Sequence, residues 1–210
     1  MTQPKQPFFN ANPKGRLAVA KLCRAVTVPS ILAAFILLGM AVVRPDAFRG
    51  IAEILWGLFY LSVCPLLAYL IAFLVPSVRA KGHNGARKLA FVTSLLGYTG
   101  GAFYALFTQT SFALSFIFFT YLFSGLFLFL MNKLLHVRAS GHACGATGPV
   151  LLFGILVGKW MWVLSLALYM IAAWGSFSLK RHSVREFIWG SLCCIGGFAA
   201  SALCCGLVFF

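Results

Sequence analysis

The sequence predicts an all-α integral membrane protein, a polytopic transmembrane bundle of about seven helices. Of the 210 residues, 61% are hydrophobic and only 10% are charged, whereas a soluble domain needs about a quarter charged residues to cover its surface. The long apolar runs are continuous rather than alternating, which favours helices over the strands of a β-barrel. No stretch between them is long enough to bury a core of its own.

The chain divides into a basic, polar segment over residues 1–25 and a single transmembrane domain over residues 26–210. The first segment contains Pro4, Pro7 and Pro13 and is expected to be an irregular lead-in that ends in a short interfacial helix near Leu17–Arg24. The apolar run that follows is too long for the core of a signal peptide and has no convincing cleavage site. It is therefore expected to stay in the protein.

Seven apolar runs follow, and a helix needs about 20 residues to cross the hydrocarbon core. Their approximate bounds are Val26–Val43, Ile51–Val75, Leu89–Phe107, Phe112–Met131, Ala143–Gly158, Trp160–Ser176 and Phe187–Phe210. The fifth and sixth runs are short and closely joined through Lys159, so both cross only if the bundle or the bilayer adapts. The prediction is seven crossings, with six as the alternative.

The basic residues lie mainly on one predicted side of the membrane. Lys and Arg number 17 against three acids, and all but Arg44, Arg49 and Lys159 lie in the N-terminal segment or in the loops after the second, fourth and sixth runs. The positive-inside rule then places the N-terminus in the cytoplasm. Because these cations lie between apolar runs without a nucleic-acid-binding motif, the lipid bilayer is the expected partner and nucleic acid is excluded.

The seven cysteines do not have the spacing of a metal site or a disulfide framework. Four of them lie in the last apolar run as two adjacent pairs, Cys193-Cys194 and Cys204-Cys205. Packing of small apolar side chains explains them best. With only three carboxylates in the chain, we also expect no magnesium site, no other metal and no cofactor.

All four histidines lie in three loops on the basic side of the bundle. They are His83, His136, His142 and His182. Cations alone would mark only the cytoplasmic side, but the positive-inside rule does not account for histidines. Their concentration at one end of the bundle indicates a site for an anion.

The first candidate motif runs from Arg138 through Ser140, Gly141 and His142, just before an apolar run. At a helix start, backbone N–H groups and the helix dipole favour an anion. Arg138 can bind phosphate oxygens with two parallel hydrogen bonds, and His142 can donate a proton to a leaving oxygen. The alternative is an N-cap serine beside an interfacial histidine.

The second candidate motif, Lys180 to Glu186, opens the last run. Glu186 lies four residues after His182, so that its carboxylate can orient the imidazole and raise its nucleophilicity. Ser183 and Glu186 also match a capping box, in which the glutamate bonds back to the helix N-cap. The two roles are compatible.

These two motifs resemble motifs two and three of the type-2 phosphatidate phosphatase superfamily, a family of membrane phosphatases. Ala139-Ser140-Gly141-His142 is similar to its Pro-Ser-Gly-His. Its third motif is Ser-Arg, five residues, His, three residues, Asp, and here Gly175-Ser176, His182 and Glu186 occupy the corresponding positions. The nearest match to its first motif, Lys, six residues, Arg-Pro, runs from Lys81 to Arg87 and Lys88. The resemblance covers about residues 79–210.

The resemblance implies a lipid phosphatase that needs no metal. His182 would attack phosphorus to form a phosphohistidine, His142 would protonate the leaving group, and Glu186 would hold His182. The substrate phosphate would be bound by five residues, namely Arg87, Lys88, Arg138, Ser140 and Gly141. The expected substrate is a phospholipid phosphate or a polyprenyl diphosphate.

Three departures from the family pattern bear on activity. Ser176 stands in place of the motif-three arginine, Glu186 in place of the aspartate, and motif one is one residue short with Lys88 in place of proline. Loss of a cation that stabilises the transition state would slow the reaction by orders of magnitude unless Arg138 or Lys180 compensates. A catalytically impaired relative that binds an anionic lipid or scaffolds membrane proteins is therefore the alternative function.

A small transporter is disfavoured, because ionisable residues are nearly absent within the runs. The expected location is a bacterial cell membrane with the N-terminus and the site on the cytoplasmic side. This expectation conflicts with the outer-face site that many bacterial members of the superfamily have.

Overall fold

The computed structural model describes residues 13–80 and 82–209, and this part of the chain is a bundle of helices without strands. The helices are α1 Pro13–Val26, α2 Pro29–Val43, α3 Ile51–Leu58, α4 Cys64–Leu74, α5 Pro76–Arg79, α6 Gly82–Thr108, α7 Phe112–Phe129, α8 Gly141–Leu156, α9 Lys159–Ser178 and α10 Val184–Phe209. The prediction of an all-α membrane bundle is confirmed.

Two π-helical turns lengthen the apolar helices. Phe59–Val63 joins α3 to α4, and Leu130–Leu134 extends α7. The first turn precedes Pro65 in the opening turn of α4. Proline lacks an N–H, and its ring clashes with the carbonyl group four residues earlier in a regular α-helix. The wider π-helical turn makes room for the ring and keeps the helix continuous. The resulting helix, Ile51–Leu74, is 24 residues long.

Five helices are long and apolar enough to cross a membrane, and a bent sixth can be added. The five are Ile51–Leu74, Lys88–Thr108, Phe112–Leu134, Lys159–Ser178 and Val184–Gly206. The remaining predicted run forms α8, which has only 16 residues. At 1.5 Å per residue α8 falls short of the roughly 30 Å hydrocarbon core. The chain is an integral membrane protein, and residues 13–80 and 82–209 contain five or six spans of full length.

The bent helix pair corrects the expectation for the N-terminal segment. α1 and α2 meet at an angle of 57°, and Pro29 begins α2 with Val28 in an extended conformation, as the residue before proline prefers. The expected short helix near Leu17–Arg24 is present within α1, but the helix begins earlier, at Pro13, and packs along α9. The rest of the predicted lead-in lies outside the described residues.

The centre of the bundle is α7. Half of its most apolar window is buried, compared with a third or less in the other full-length spans. Leu114, Ile117 and Phe118 are fully enclosed there, and α7 packs on α6 and most extensively on α10. α8 lies between α2, α9 and α10. Because α7 and α9 run antiparallel to α8 and α10, the ends of α7 and α9 and the starts of α8 and α10 share one face of the bundle.

At the opposite face of the bundle, the buried carboxylate of Glu53 joins the starts of two helices. Its Oε1 accepts a hydrogen bond from the N–H of Ser111 at 2.7 Å, and its Oε2 accepts one from the N–H of Arg49 at 3.1 Å. Both donors lie immediately before helices, where backbone N–H groups lack helical acceptors. Glu53 therefore links the starts of α3 and α7 and has a structural role far from the histidines.

Candidate active site

The two motifs that the sequence singles out are in direct contact. The backbone N–H of Ser140, before α8, donates to the carbonyl of Glu186 in the first turn of α10 at 2.9 Å. One helical turn further on, a Cβ at Gly190 would collide with the carbonyl oxygen of Ser140. Glycine at that position permits the close approach of the two helices, which brings the predicted residues together.

Glu186 has both of the roles that its sequence position allows. Its Oε2 lies 3.0 Å from Nδ1 of His182 and accepts a weaker hydrogen bond from the N–H of Ser183 at 3.4 Å. The hydroxyl of Ser183 in turn accepts from the N–H of Glu186 at 3.2 Å. The capping box thus fixes the carboxylate against the imidazole. His182 and Glu186 are largely enclosed, with 11% and 15% of their side chains exposed.

Arg138 forms an ion pair with the other oxygen of the same carboxylate. Its Nε lies 3.3 Å from Oε1 of Glu186. The Arg138 side chain is 80% exposed, so the ion pair is screened by solvent and is weak. Arg138 can therefore turn toward a bound anion at little cost in stability.

Ser140 is the N-cap of α8, as the alternative interpretation of its motif holds. Its buried hydroxyl accepts from the N–H of Ala143 at 3.3 Å. The N–H groups of Gly141 and His142 belong to the first turn, where helix geometry provides no acceptor within the helix. The cap does not exclude the anion site, because it occupies the N–H of Ala143 and not these two.

His142 is enclosed in the bundle and is tied to the end of α1. Its Nε2 lies 3.0 Å from Oγ1 of Thr27, whose single hydroxyl hydrogen is donated to the carbonyl of Cys23 at 2.7 Å. His142 Nε2 must therefore be the donor, which leaves the lone pair of the neutral ring on Nδ1. No local sequence pattern predicts this contact between Thr27 and His142.

The imidazole of His142 is kept in its neutral form. It lies in the short helix α8, outside the full-length spans. Burial lowers the pKa of His142 well below its usual range, and the positive charges of Arg24 and His182 lower it further. A neutral ring is a poor proton donor but a competent acceptor at Nδ1. This environment departs from the acid role that the resemblance implies for the unliganded protein.

The N-terminal helix α1 contributes a cation, Arg24, from outside the predicted core of residues 79–210. Nη1 of Arg24 donates to Oγ of Ser176 at 3.2 Å, and Ser176 is fully buried. Arg24 therefore occupies the neighbourhood in which the family pattern would have an arginine at position 176. Lys180, which was considered as a replacement, is exposed. No local motif predicts this role of Arg24, because its contact with Ser176 joins residues that are far apart in the sequence.

Lys88 is the described side chain of the weak first motif, and it is exposed. Among the described residues no hydrogen bond or ion pair connects Lys88 to the two histidines. Its helix, α6, packs mainly on α4 and α7. A role of Lys88 in phosphate binding therefore stays a prediction from the motif. The side chains of Arg87 and His83, and all of Lys81, lie outside the described residues.

An open cavity of about 280 Å³ lies beside the cluster at the bundle surface. It is lined by His136, Val137, Arg138, Ser183, Arg185, Glu186 and Trp189. Glu186 lines it, whereas His142 and His182 do not. Two arginines and an interfacial tryptophan suit an anionic lipid headgroup.

Comparison with known proteins adds no family assignment. No family model, no curated protein and no solved structure matches the chain. Within residues 13–80 and 82–209, no group of three or more His, Cys, Asp or Glu side chains is placed to hold a metal ion. The groups available for chemistry at this site are the His182–Glu186 pair, the neutral His142, and the guanidinium groups of Arg138 and Arg24.

Proposed function

We propose that the protein is a membrane phosphatase that removes a phosphoryl group from a lipid phosphate or a polyprenyl diphosphate, with His182 as the nucleophile. The observation that supports this most directly is the 3.0 Å contact between Nδ1 of His182 and Oε2 of Glu186. An ionised carboxylate only accepts hydrogen bonds, so it holds the proton on Nδ1 and the lone pair on Nε2. That tautomer is the nucleophilic one.

In the first step, Nε2 of His182 bonds to phosphorus while the bond between phosphorus and the leaving oxygen breaks. The leaving oxygen takes up one proton. In the second step, water attacks the phosphohistidine, the phosphorus–nitrogen bond breaks, and inorganic phosphate and neutral His182 are released. Glu186 stabilises the positive charge that the imidazole carries between the steps, and Arg138 binds phosphoryl oxygens.

The neutral His142 suits the second step, in which its Nδ1 accepts a proton from the attacking water. A bound phosphate dianion near the ring would raise its pKa and partly offset the effects of burial and Arg24. Protonation of His142 thus follows substrate binding, and the same residue can then protonate the leaving group. The first-turn N–H groups of Gly141 and His142 would supply hydrogen bonds to the phosphoryl oxygens.

The test is phosphate release by the purified protein in lipid nanodiscs. The substrates are phosphatidate, lysophosphatidate, phosphatidylglycerol phosphate and undecaprenyl diphosphate, each assayed with wild type, His182→Ala and the control Lys133→Ala. Lys133 is exposed at the same face of the bundle and does not line the cavity. We expect turnover of at least one substrate by wild type and Lys133→Ala and none by His182→Ala. Equal turnover in His182→Ala would contradict the proposal.

The second candidate function is a non-catalytic receptor for an anionic lipid. It is favoured by the cavity between Arg138, Arg185 and Trp189, because neither His142 nor His182 lines that cavity. Absence of turnover on the whole panel, together with lipid binding that Arg185→Ala weakens, would favour this function over hydrolysis.

A further inference from the structure

We infer that Arg24 of the N-terminal helix is a phosphate-binding residue of the site, so that the site is built from both ends of the chain. This inference rests on the proposed function for its substrate, a phosphoryl group. The anion affinity that it assigns to Arg24 can be measured without turnover.

The position of Arg24 is fixed by contacts on both sides of it. Its Nη1 is 3.2 Å from Oγ of Ser176 at the end of α9. Three residues later, Thr27 contacts His142 at the start of α8. Gly175 lies directly against α1, where a Cβ would be 3.3 Å from the carbonyl oxygen of Ala20 and 3.4 Å from the backbone nitrogen of Arg24. The register of this segment therefore places Arg24 against the end of α9, which precedes His182, and Thr27 against the start of α8, which contains His142.

Electrostatics place the Arg24 charge in the same environment as both histidines. The charges of Arg24 and His182 both act on His142 and lower its pKa. The positive charge of Arg24 thus lies close enough to His142 to oppose protonation of that ring in the empty site. A phosphoryl dianion bound beside His142 would be attracted by the same guanidinium charge, which makes its binding more favourable.

The guanidinium group also has suitable chemistry. It is planar and weakly hydrated and carries five N–H donors, so it can hold the Ser176 hydroxyl and phosphoryl oxygens at the same time. Arg24 is only partly exposed, where a charge-assisted hydrogen bond is stronger than at the surface. Lys21 is on the same helix but exposed, and it provides a matched control for loss of one positive charge.

The experiment measures binding of orthovanadate, an inorganic phosphate mimic, through the rise in Tm of the protein in nanodiscs. The variants are Arg24→Ala, Arg24→Gln, Arg24→Lys and the control Lys21→Ala. We expect wild type and Lys21→Ala to bind equally, and Arg24→Ala and Arg24→Gln to bind at least about tenfold more weakly. Arg24→Lys should keep part of the affinity. Arg24→Gln retains an amide donor for Ser176, so it separates loss of charge from loss of packing.

The inference is overturned if wild type does not bind vanadate, or if Arg24→Gln binds it as tightly as Lys21→Ala does. If Arg24→Ala does not fold, the Gln and Lys variants decide the question. Vanadate binding that depends on Arg24, in a protein without His182-dependent turnover, supports the inference while the proposed hydrolysis fails. Turnover that depends on His182, together with vanadate binding indifferent to Arg24, leaves the hydrolysis standing and overturns the role of Arg24.

Discussion

Oγ1 of Thr27 lies 3.0 Å from Nε2 of His142, so the first histidine of the candidate pair is held by the N-terminal helix. The hydroxyl hydrogen of Thr27 is committed to the carbonyl of Cys23, and the imidazole must donate. The contact selects one tautomer of a buried ring. Thr27, the residue that follows α1, therefore determines which nitrogen of His142 carries the proton.

The lowered pKa of His142 predicts a specific dependence of stability on pH. In the unfolded chain a histidine titrates near about 6.5, whereas the folded protein keeps His142 neutral to lower pH. Between these two values the unfolded state binds more protons, so the free energy of unfolding falls as the pH falls. We expect His142→Gln to flatten this dependence between about pH 6.5 and 4.5, measured by chemical denaturation in detergent. The control His136→Gln should retain the wild-type slope.

Glu186→Gln should abolish most activity while preserving the helix start. The amide can still cap α10 through its oxygen, but its NH₂ group would donate to Nδ1 of His182. The proton of the imidazole then moves to Nε2 and blocks nucleophilic attack. We expect kcat to fall on the order of 10³–10⁴-fold, with helix content by circular dichroism unchanged. Activity within about threefold of wild type would show that the His182–Glu186 contact has no catalytic role.

An exchange of residues between positions 24 and 176 should restore what each single change removes. Ser176 is fully buried and already accepts a hydrogen bond from Arg24, so Ser176→Arg alone places two like charges together and should lower Tm. In Arg24→Ser/Ser176→Arg the cation returns to the same neighbourhood from the other helix. We expect the double variant to exceed both single variants in phosphatase activity. Additive losses would contradict a shared site.

Glu53→Gln should destabilise the fold without altering the site. The carboxylate accepts backbone hydrogen bonds from Arg49 and Ser111 through its two oxygens. Glutamine supplies one acceptor oxygen and turns a donor toward the second N–H. We expect a loss of about 1–3 kcal/mol in the free energy of unfolding and an unchanged KM. Asp46→Asn, which alters an exposed ion pair with Arg44, serves as the control and should change stability little.

The membrane orientation can be tested with cysteines at the two faces of the bundle. Arg181→Cys lies at the face of the histidines and Arg44→Cys at the opposite face, and both positions are exposed. In a background with the native cysteines replaced, the distribution of cations predicts that a membrane-impermeant thiol reagent labels only Arg44→Cys in intact cells. Labelling of Arg181→Cys alone would place the site on the outer face.

Hydropathy and charge predicted the fold and the end of the bundle at which the site lies, but not its full composition. Apolar length alone predicted helices such as Phe112–Leu134, since lipid requires the backbone to bond within the segment. Spacing along one helix start predicted the contact of His182 with Glu186. The contact of Arg24 with Ser176 depends on how α1 packs along α9, and no local pattern encodes a pairing between distant helices. The assignment of Lys88 to the phosphate site depends in the same way on packing between distant helices, which its motif does not encode.

The short helix α8 has a consequence for the surrounding lipid. Its 16 residues end at Leu156, about 6 Å short of the far edge of an average hydrocarbon layer. The turn that follows exposes Lys159, Trp160 and Trp162, the residue types that anchor to headgroups and snorkel toward water. The hydrocarbon layer beside α8 must therefore be thinner than average, and the thinning lies in the leaflet opposite the histidines. The protein should accordingly partition into thinner bilayers.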